Sequence, residues 1–216
     1  TVIKMDFKNY AIQIDGTGKH VYPGFIAPNS TLGLVEIDAV KSSDDEDEIG
    51  NFNPNVKSSI AYNAESKVTE TVVPNGILIA QITPRGGRIS GTSSIVQLDA
   101  WNWKEALVKE NDGIHLNFPT TFRKGRGAEN GVIEVNKEYM KQIEEINAFF
   151  TNAKAYLAAD SKERNLVLEA TKGLFDASQT LFIHADEEKQ ITDAIQTFQN
   201  LGIAKMVIVG GYDAYK

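Results

Sequence analysis

Residues 180–209 constrain the fold of this chain more than any other stretch. They read TLFIH, then a mixed polar and apolar segment over 187–201, then KMVIV. The two flanking runs are short, apolar and rich in bulky side chains, as buried strands require. Between them Ile191, Ala194, Ile195 and Phe198 recur at three- and four-residue spacing, which marks one face of a helix. Strand, helix and strand in this order predict a right-handed βαβ unit with parallel strands. Folds built this way collect binding groups at the C-terminal ends of their strands, where His184 and Gly210-Gly211 fall.

Other segments extend the pattern. ILIAQIT (77–83), bounded by Pro74-Asn75-Gly76 and Pro84, reads as a strand buried on both faces, and SIVQLDA (94–100) as another. The connection between them, PRGGRISGTS, reads as a glycine-rich loop able to present backbone N–H groups to an anion, though it lacks the Gly-Lys-Ser/Thr ending of a phosphate loop. Val135, Tyr139, Ile143, Ile146, Phe150, Ala153 and Leu157 form one helical core stripe, and Leu166, Ala170 and Leu174 imply a helix over 162–175. Near the start, IQIDGTG (12–18) reads as a strand followed by an Asp15-Gly16 turn. The acid run 44–48 reads as a solvated loop of like charges. Trp101 and Trp103 suit helix-start packing or a pocket wall better than a carbohydrate platform.

Composition narrows the function. With 216 residues, 42% of them hydrophobic, the chain can bury a substantial core without disulfides. The lack of cysteine excludes thiolate metal sites and thiol nucleophiles. A net charge of -7, with no basic cluster to offset it, argues against nucleic acid as a partner. No apolar run reaches the roughly 18–20 residues of a membrane span, and the first residues lack a signal-peptide core. The expectation is a soluble protein, cytoplasmic, or periplasmic or secreted after loss of a leader.

Residues 14–33, IDGTGKHVYPGFIAPNSTLG, carry a more specific signal. This text resembles the start of the barrel in imidazolonepropionase-related amidohydrolases, which reads like ID-x-x-G-K-x-V-x-P-G-F-I-D-x-H-x-H-x-G. Asp15, Gly18, Lys19, Val21, Pro23, Gly24, Phe25, Ile26 and Gly33 match it. GGRISGTSSIVQLD (86–99), FIHAD and MVIVGGYDAYK are similar to further blocks of such proteins. The resemblance implies an α/β fold: a partial TIM-type (β/α) barrel of the metal-dependent hydrolase kind, approximately strands 1 to 6, over 20–216. Residues 1–19 would be the edge of a small β-sandwich domain.

The family's chemistry is hydrolysis of non-peptide C–N bonds, as in cyclic amides, by water bound to zinc or another divalent metal. Two histidines at alternate positions of strand 1 face the same way and grip the ion, which lowers the pKa of its water to about 7. In this chain those two positions hold Asn29 and Thr31, and Ala27 replaces the preceding aspartate. His184 matches the strand 5 histidine, whereas Gly210 stands at the strand 6 histidine; Asp213 and Tyr215 fit the surrounding text. An amide and a hydroxyl are poor substitutes for two imidazoles as zinc ligands. No cofactor is therefore expected, with His184 as the metal ligand if the family chemistry persists.

The expectation is an amidohydrolase-like protein with weakened or lost metal-dependent catalysis, in which His184 is the candidate catalytic residue. Arg85, Arg88, Ser90, Asn29 and Thr31 are the candidate contacts for a small-molecule substrate or ligand. Two alternatives stand beside it. One is a non-enzymatic ligand-binding or assembly module, a homo-oligomer or a chain associating with the missing part of the barrel. The other is an active hydrolase with a rebuilt site, where Asp99, Asp186 and His184 supply acid and base. His20 reads as structural, and His115, in GIHLNFP, could lie near the pocket.

Overall fold

The computed structural model describes residues 14–37, 39–124, 133–159 and 163–216. The elements run β1 (Phe25–Ser30), α1 (Ser58–Ala61), α2 (Lys67–Val72), β2 (Ile77–Ile82), β3 (Ile89–Gln97), α3 (Trp103–Ala106), β4 (Leu107–Asn117), β5 (Phe122–Lys124), β6 (Ile133–Val135), α4 (Tyr139–Ala158), α5 (Leu166–Glu169), α6 (Lys172–Phe175), β7 (Thr180–Ala185), α7 (Glu188–Leu201) and β8 (Met206–Gly210). Six strands form one curled half-barrel sheet in the order β1-β2-β3-β4-β7-β8, and β5 with β6 makes a separate two-stranded ribbon.

The βαβ unit is as expected. β7 and β8 pair in parallel, with His184 opposite Val209, and α7 connects them. Glu187 and Gln190 form a reciprocal capping box at the start of α7, and Gly202, at φ +85°, ends it. β4 pairs in parallel with β7, placing His115 opposite Phe182 and Asn117 opposite His184. Since β2-β3 and β3-β4 are antiparallel, the direction reverses twice. β1, β2, β4, β7 and β8 therefore all point one way, and their C-terminal ends share one rim.

Alternation along β4 and β7 sorts the side chains. Ile114, Leu116, Leu181 and Ile183 face the helices and pack with Ile143, Ile146, Phe150, Ala194 and Phe198 in the larger core. Gly113, His115, Asn117, Phe182 and His184 take the opposite face. A smaller core joins Tyr62, Ala80, Ile82, Val96, Leu98 and Ala106.

Three local expectations need correction. β3 begins at Ile89 rather than at 94, so half of the expected loop is strand. Its residues Ser90, Thr92, Ser93 and Ser94 are polar yet buried, which hides the strand from any hydrophobic pattern. Val135 belongs to β6, and α4 starts at Tyr139. The helix expected over 162–175 is two single-turn helices, α5, capped by the Asn165 side chain, and α6; residue 162 lies outside the described residues.

At the N-terminus the Asp15 carboxylate accepts hydrogen bonds from the backbone N–H and the hydroxyl of Thr17, and Lys19 N–H closes a turn onto Gly16 O. Residues 12 and 13 of the expected strand lie outside the described residues. Trp103 opens α3 and packs on the smaller core, whereas Trp101 is exposed. Among the described residues, no helix is long and apolar enough to cross a membrane.

Candidate functional site

A cleft of about 400 Å³ opens at the shared rim, lined by Asn29 from β1, Asn117 from β4, His184 and Asp186 from the end of β7, and Gly210 and Tyr212 from the end of β8. A larger groove, about 600 Å³, lies at the opposite end of β7, beside Ser178 and Gln179, away from the histidines.

His115 and His184 form the centre. Asn117 pairs with His184 across β4 and β7, so His115, two residues earlier on the same face, comes beside the His184 ring. The Nδ1 of His115 is 3.0 Å from the Nε2 of His184. Phe182 stacks on the His115 ring at 4.6 Å with an interplanar angle of 7°. Gly113 makes room for that stack, since a Cβ there would meet the Phe182 ring and the carbonyl of Thr180. His115 is fully buried, and its Nε2 has no hydrogen-bond partner among the described residues. Burial, then His184 and the positive charge of Arg85, push the His115 pKa down to about 3. Burial and then Arg85 push His184 down to about 4, against an opposing pull from Asp186. Both imidazoles are therefore neutral at pH 7.

Arg85, three residues past the end of β2, acts electrostatically on this pair. Its Nη1 donates to Asn29 Oδ1 at 2.5 Å and its Nη2 to the Asn29 carbonyl at 2.8 Å. Burial lowers its pKa and Glu46 opposes that shift, yet a guanidinium keeps its proton in a protein. The acid run is more than a solvated loop: Glu46 O accepts from the backbone N–H of Arg85 at 2.6 Å, and Asp47 bridges Arg85. Behind Asn29, its backbone N–H donates to Gln81 Oε1. Gln81 Nε2 donates to Asp112, which pairs with Lys109 at 2.7 Å.

The other candidate residues divide. Asn29 and His184 line one cleft, and Arg85 is tied to the first of them. Thr31 lies past the end of β1, in a turn closed by Leu34 N–H onto its carbonyl. Asn29 has φ +49°, and the β1-β2 register shifts between Ala27 and Ser30, so the strand alternation needed for a paired grip is interrupted there. Arg88 donates to the Asn117 carbonyl at 2.8 Å. Ser90 is buried, donates to Gly86 O and accepts from Asn117 Nδ2, so both residues brace the 86–90 turn. Asp99 follows the antiparallel β3 and stands at the other end of the sheet. His115 was the residue the sequence undervalued; the alternation Gly113-x-His115-x-Asn117 in a buried strand was the available signal.

Among the described residues, the donors at the rim fall short of the three or four ligands of a zinc site. Among the described residues, no group of three or more His, Asp or Glu side chains could hold a metal ion. Gly210 has φ +91°, and a Cβ on it would collide with Asp186 Oδ1, so the end of β8 has no room for a side chain. The Arg85 guanidinium acts on both imidazoles and repels a second positive charge.

Comparison with solved structures places the scaffold. An amidohydrolase from Thermotoga maritima MSB8 superposes with a TM-score of 0.75 at 20% sequence identity, over 94% of this chain and 57% of that one. The fold is amidohydrolase-like. The chain thus spans a little over half the length of that structure. No family model matches the sequence, and no curated protein matches it either.

Proposed function

We propose that this chain is a barrel portion related to imidazolonepropionase-like amidohydrolases, in which metal-dependent hydrolysis has been lost and the rim cleft binds a small amide-like molecule. Residues 20–216 would form the barrel portion; most of the small β domain expected over 1–19 lies outside the described residues. The observation that carries this reading is the two-pronged Arg85–Asn29 contact facing two neutral imidazoles. The position that would hold the first metal ligand is engaged by a fixed cation. The cleft still offers a donor, the Asn29 amide, and acceptors in His184 and Asp186, as an amide N–H and C=O would require.

Elemental analysis of the purified protein for zinc, iron and manganese should show far less than one equivalent of each. Stoichiometric metal that is lost in His184→Ala would sink the proposal. In a thermal-shift screen, a cyclic amide that binds only the native state should raise the midpoint, by about 2.7 kcal/mol of added stability at a hundredfold excess over its dissociation constant.

Association with a covering partner has its own support. Among the described residues β1 and β8 are the edges of the sheet, and Phe25 and Ile26 on β1 are 68% and 63% exposed. Such edges invite pairing with another strand. Light scattering on the purified protein should give a mass above the 23.8 kDa of one chain, and a monodisperse monomer at high concentration would refute association between copies.

A further inference from the structure

Of the two central histidines, His184 lines the rim cleft and the fully buried His115 does not. His115 Nδ1 lies 3.0 Å from His184 Nε2, so one hydrogen bond joins the rings. A neutral imidazole has one N–H and one lone pair. Both rings are neutral at pH 7, so the proton placement on one dictates that on the other. Because Nε2 of His184 is spent on this contact, Nδ1 is the nitrogen that ring has left for the cleft. Phe182 stacks on His115 at 4.6 Å, in space that Gly113 leaves open, and holds the buried ring in place.

Two arrangements satisfy the contact. In one, His115 donates from Nδ1, and His184 presents an Nδ1–H to the cleft. In the other, His184 donates from Nε2 and presents a lone pair. Either way the buried Nε2 of His115 lacks a hydrogen-bond partner among the described residues, so that atom does not decide. Charge does. Arg85 and Asp186 act on His184 with opposite signs, and the cation outweighs the acid. The guanidinium is bonded to Asn29, which lines the same cleft. A net positive field favours a lone pair there over an N–H. A free neutral imidazole side chain also favours its proton on Nε2, and in the second arrangement both rings keep that form.

We infer that His115 is a positioning residue: from outside the cleft it accepts the Nε2–H of His184 and fixes His184 as a lone-pair acceptor toward a bound molecule. The consequence for ligands rests on the amide-binding reading of the cleft. Arg85 takes Asn29 Oδ1, which leaves the Asn29 Nδ2 donor for a ligand carbonyl. His184 Nδ1 then calls for a ligand N–H. A secondary lactam offers both groups side by side, whereas its N-methyl derivative lacks the N–H and leaves the acceptor unpaired.

The test is nitrogen NMR of the imidazoles in the isotope-labelled full chain at pH 7, with His184→Gln for assignment. Wild-type His184 should show a hydrogen-bearing Nε2 and a bare Nδ1, as two widely separated resonances. His115→Phe keeps a ring against Phe182 and removes the acceptor. In that variant the two His184 resonances should move toward each other as the tautomers interconvert. His115→Leu takes its place if circular dichroism shows that the first does not fold. A proton on His184 Nδ1 in wild type, or an unchanged pattern in the folded variant, overturns the inference. In a thermal-shift comparison, γ-butyrolactam should raise the midpoint and N-methyl-γ-butyrolactam should not. An equal rise with both overturns the selection of ligands through His184. No rise with either, beside the expected resonances, sinks the amide-binding reading and supports the role of His115.

Discussion

Lowering the pH from 7 to 5 should cost this chain about 3 kcal/mol of folding stability through His115 and His184 alone. The sign follows from where each state binds protons. A histidine in the unfolded chain titrates near its ordinary 6.5, whereas in the native state the two values sit at about 3 and about 4. Well above pH 6.5 neither state binds a proton on these rings, and their neutral burial carries no pH penalty. As pH falls below 6.5 the unfolded chain takes up protons that the native pair refuses, and stability declines by about 1.4 kcal/mol per pH unit for a fully shifted imidazole. The decline ends once pH passes through the native values. His115 contributes nearly the full slope, and partly exposed His184 less, because solvent screens it. The lowered carboxylates of Asp15, Asp176 and Asp213 titrate below this window and do not confuse it. Urea midpoints at pH 7 and pH 5 measure the effect in wild type and in His115→Gln/His184→Gln. An equal loss in both would show that the pair is not its source.

Phe150→Ala should destabilise the native state by about 3–5 kcal/mol, the usual cost of deleting a buried aromatic ring. Phe150 is fully buried on α4 and meets Phe149 and Phe198 edge-on, at ring separations of 5.2 and 5.3 Å. It therefore ties α4 to α7 over the strands that carry the histidines. A loss of this size is a large share of the 5–15 kcal/mol that typical domains possess. Chemical denaturation checks it directly. Trp101→Ala, at an exposed site, should change stability by less than about 0.5 kcal/mol. If Phe150→Ala behaves no differently from Trp101→Ala, the larger core is not packed as described.

What could be read from the chain in advance was mostly local. TLFIH and KMVIV announce β7 and β8 because both are short, largely apolar runs, and the α7 face is regular because one side of it is buried. β3 announces itself only in its second half. Its first half is built from Ser90, Gly91, Thr92, Ser93 and Ser94, small residues that let neighbouring backbone approach: Thr92 donates to Pro54 O, and Gly91 lies against Val56 O. The site was legible as a list of residues and not as an arrangement. Asn29 and Arg85 were both expected to meet a ligand, and the fold joins them to each other across 56 positions. His115 and His184 are 69 positions apart, and no local spacing encodes their contact. The glycine at position 210 reads as a missing ligand in sequence; in space it is the gap that Asp186 fills.

Among the described residues the two hydrophobic cores form separate clusters. β3 spans them, with Ile89 in the larger and Val96 in the smaller. Separate cores of this kind are expected to open as separate cooperative units, and the β3-β4 ladder between them is irregular between Ser93 and Val96. Asn29 and Arg85 belong to the block built on β1 and β2, whereas both histidines belong to the other. Opening between these units would separate the guanidinium from the imidazoles. A molecule bridging Asn29 and His184 would act as a staple across it, tightening the whole chain by holding only its rim.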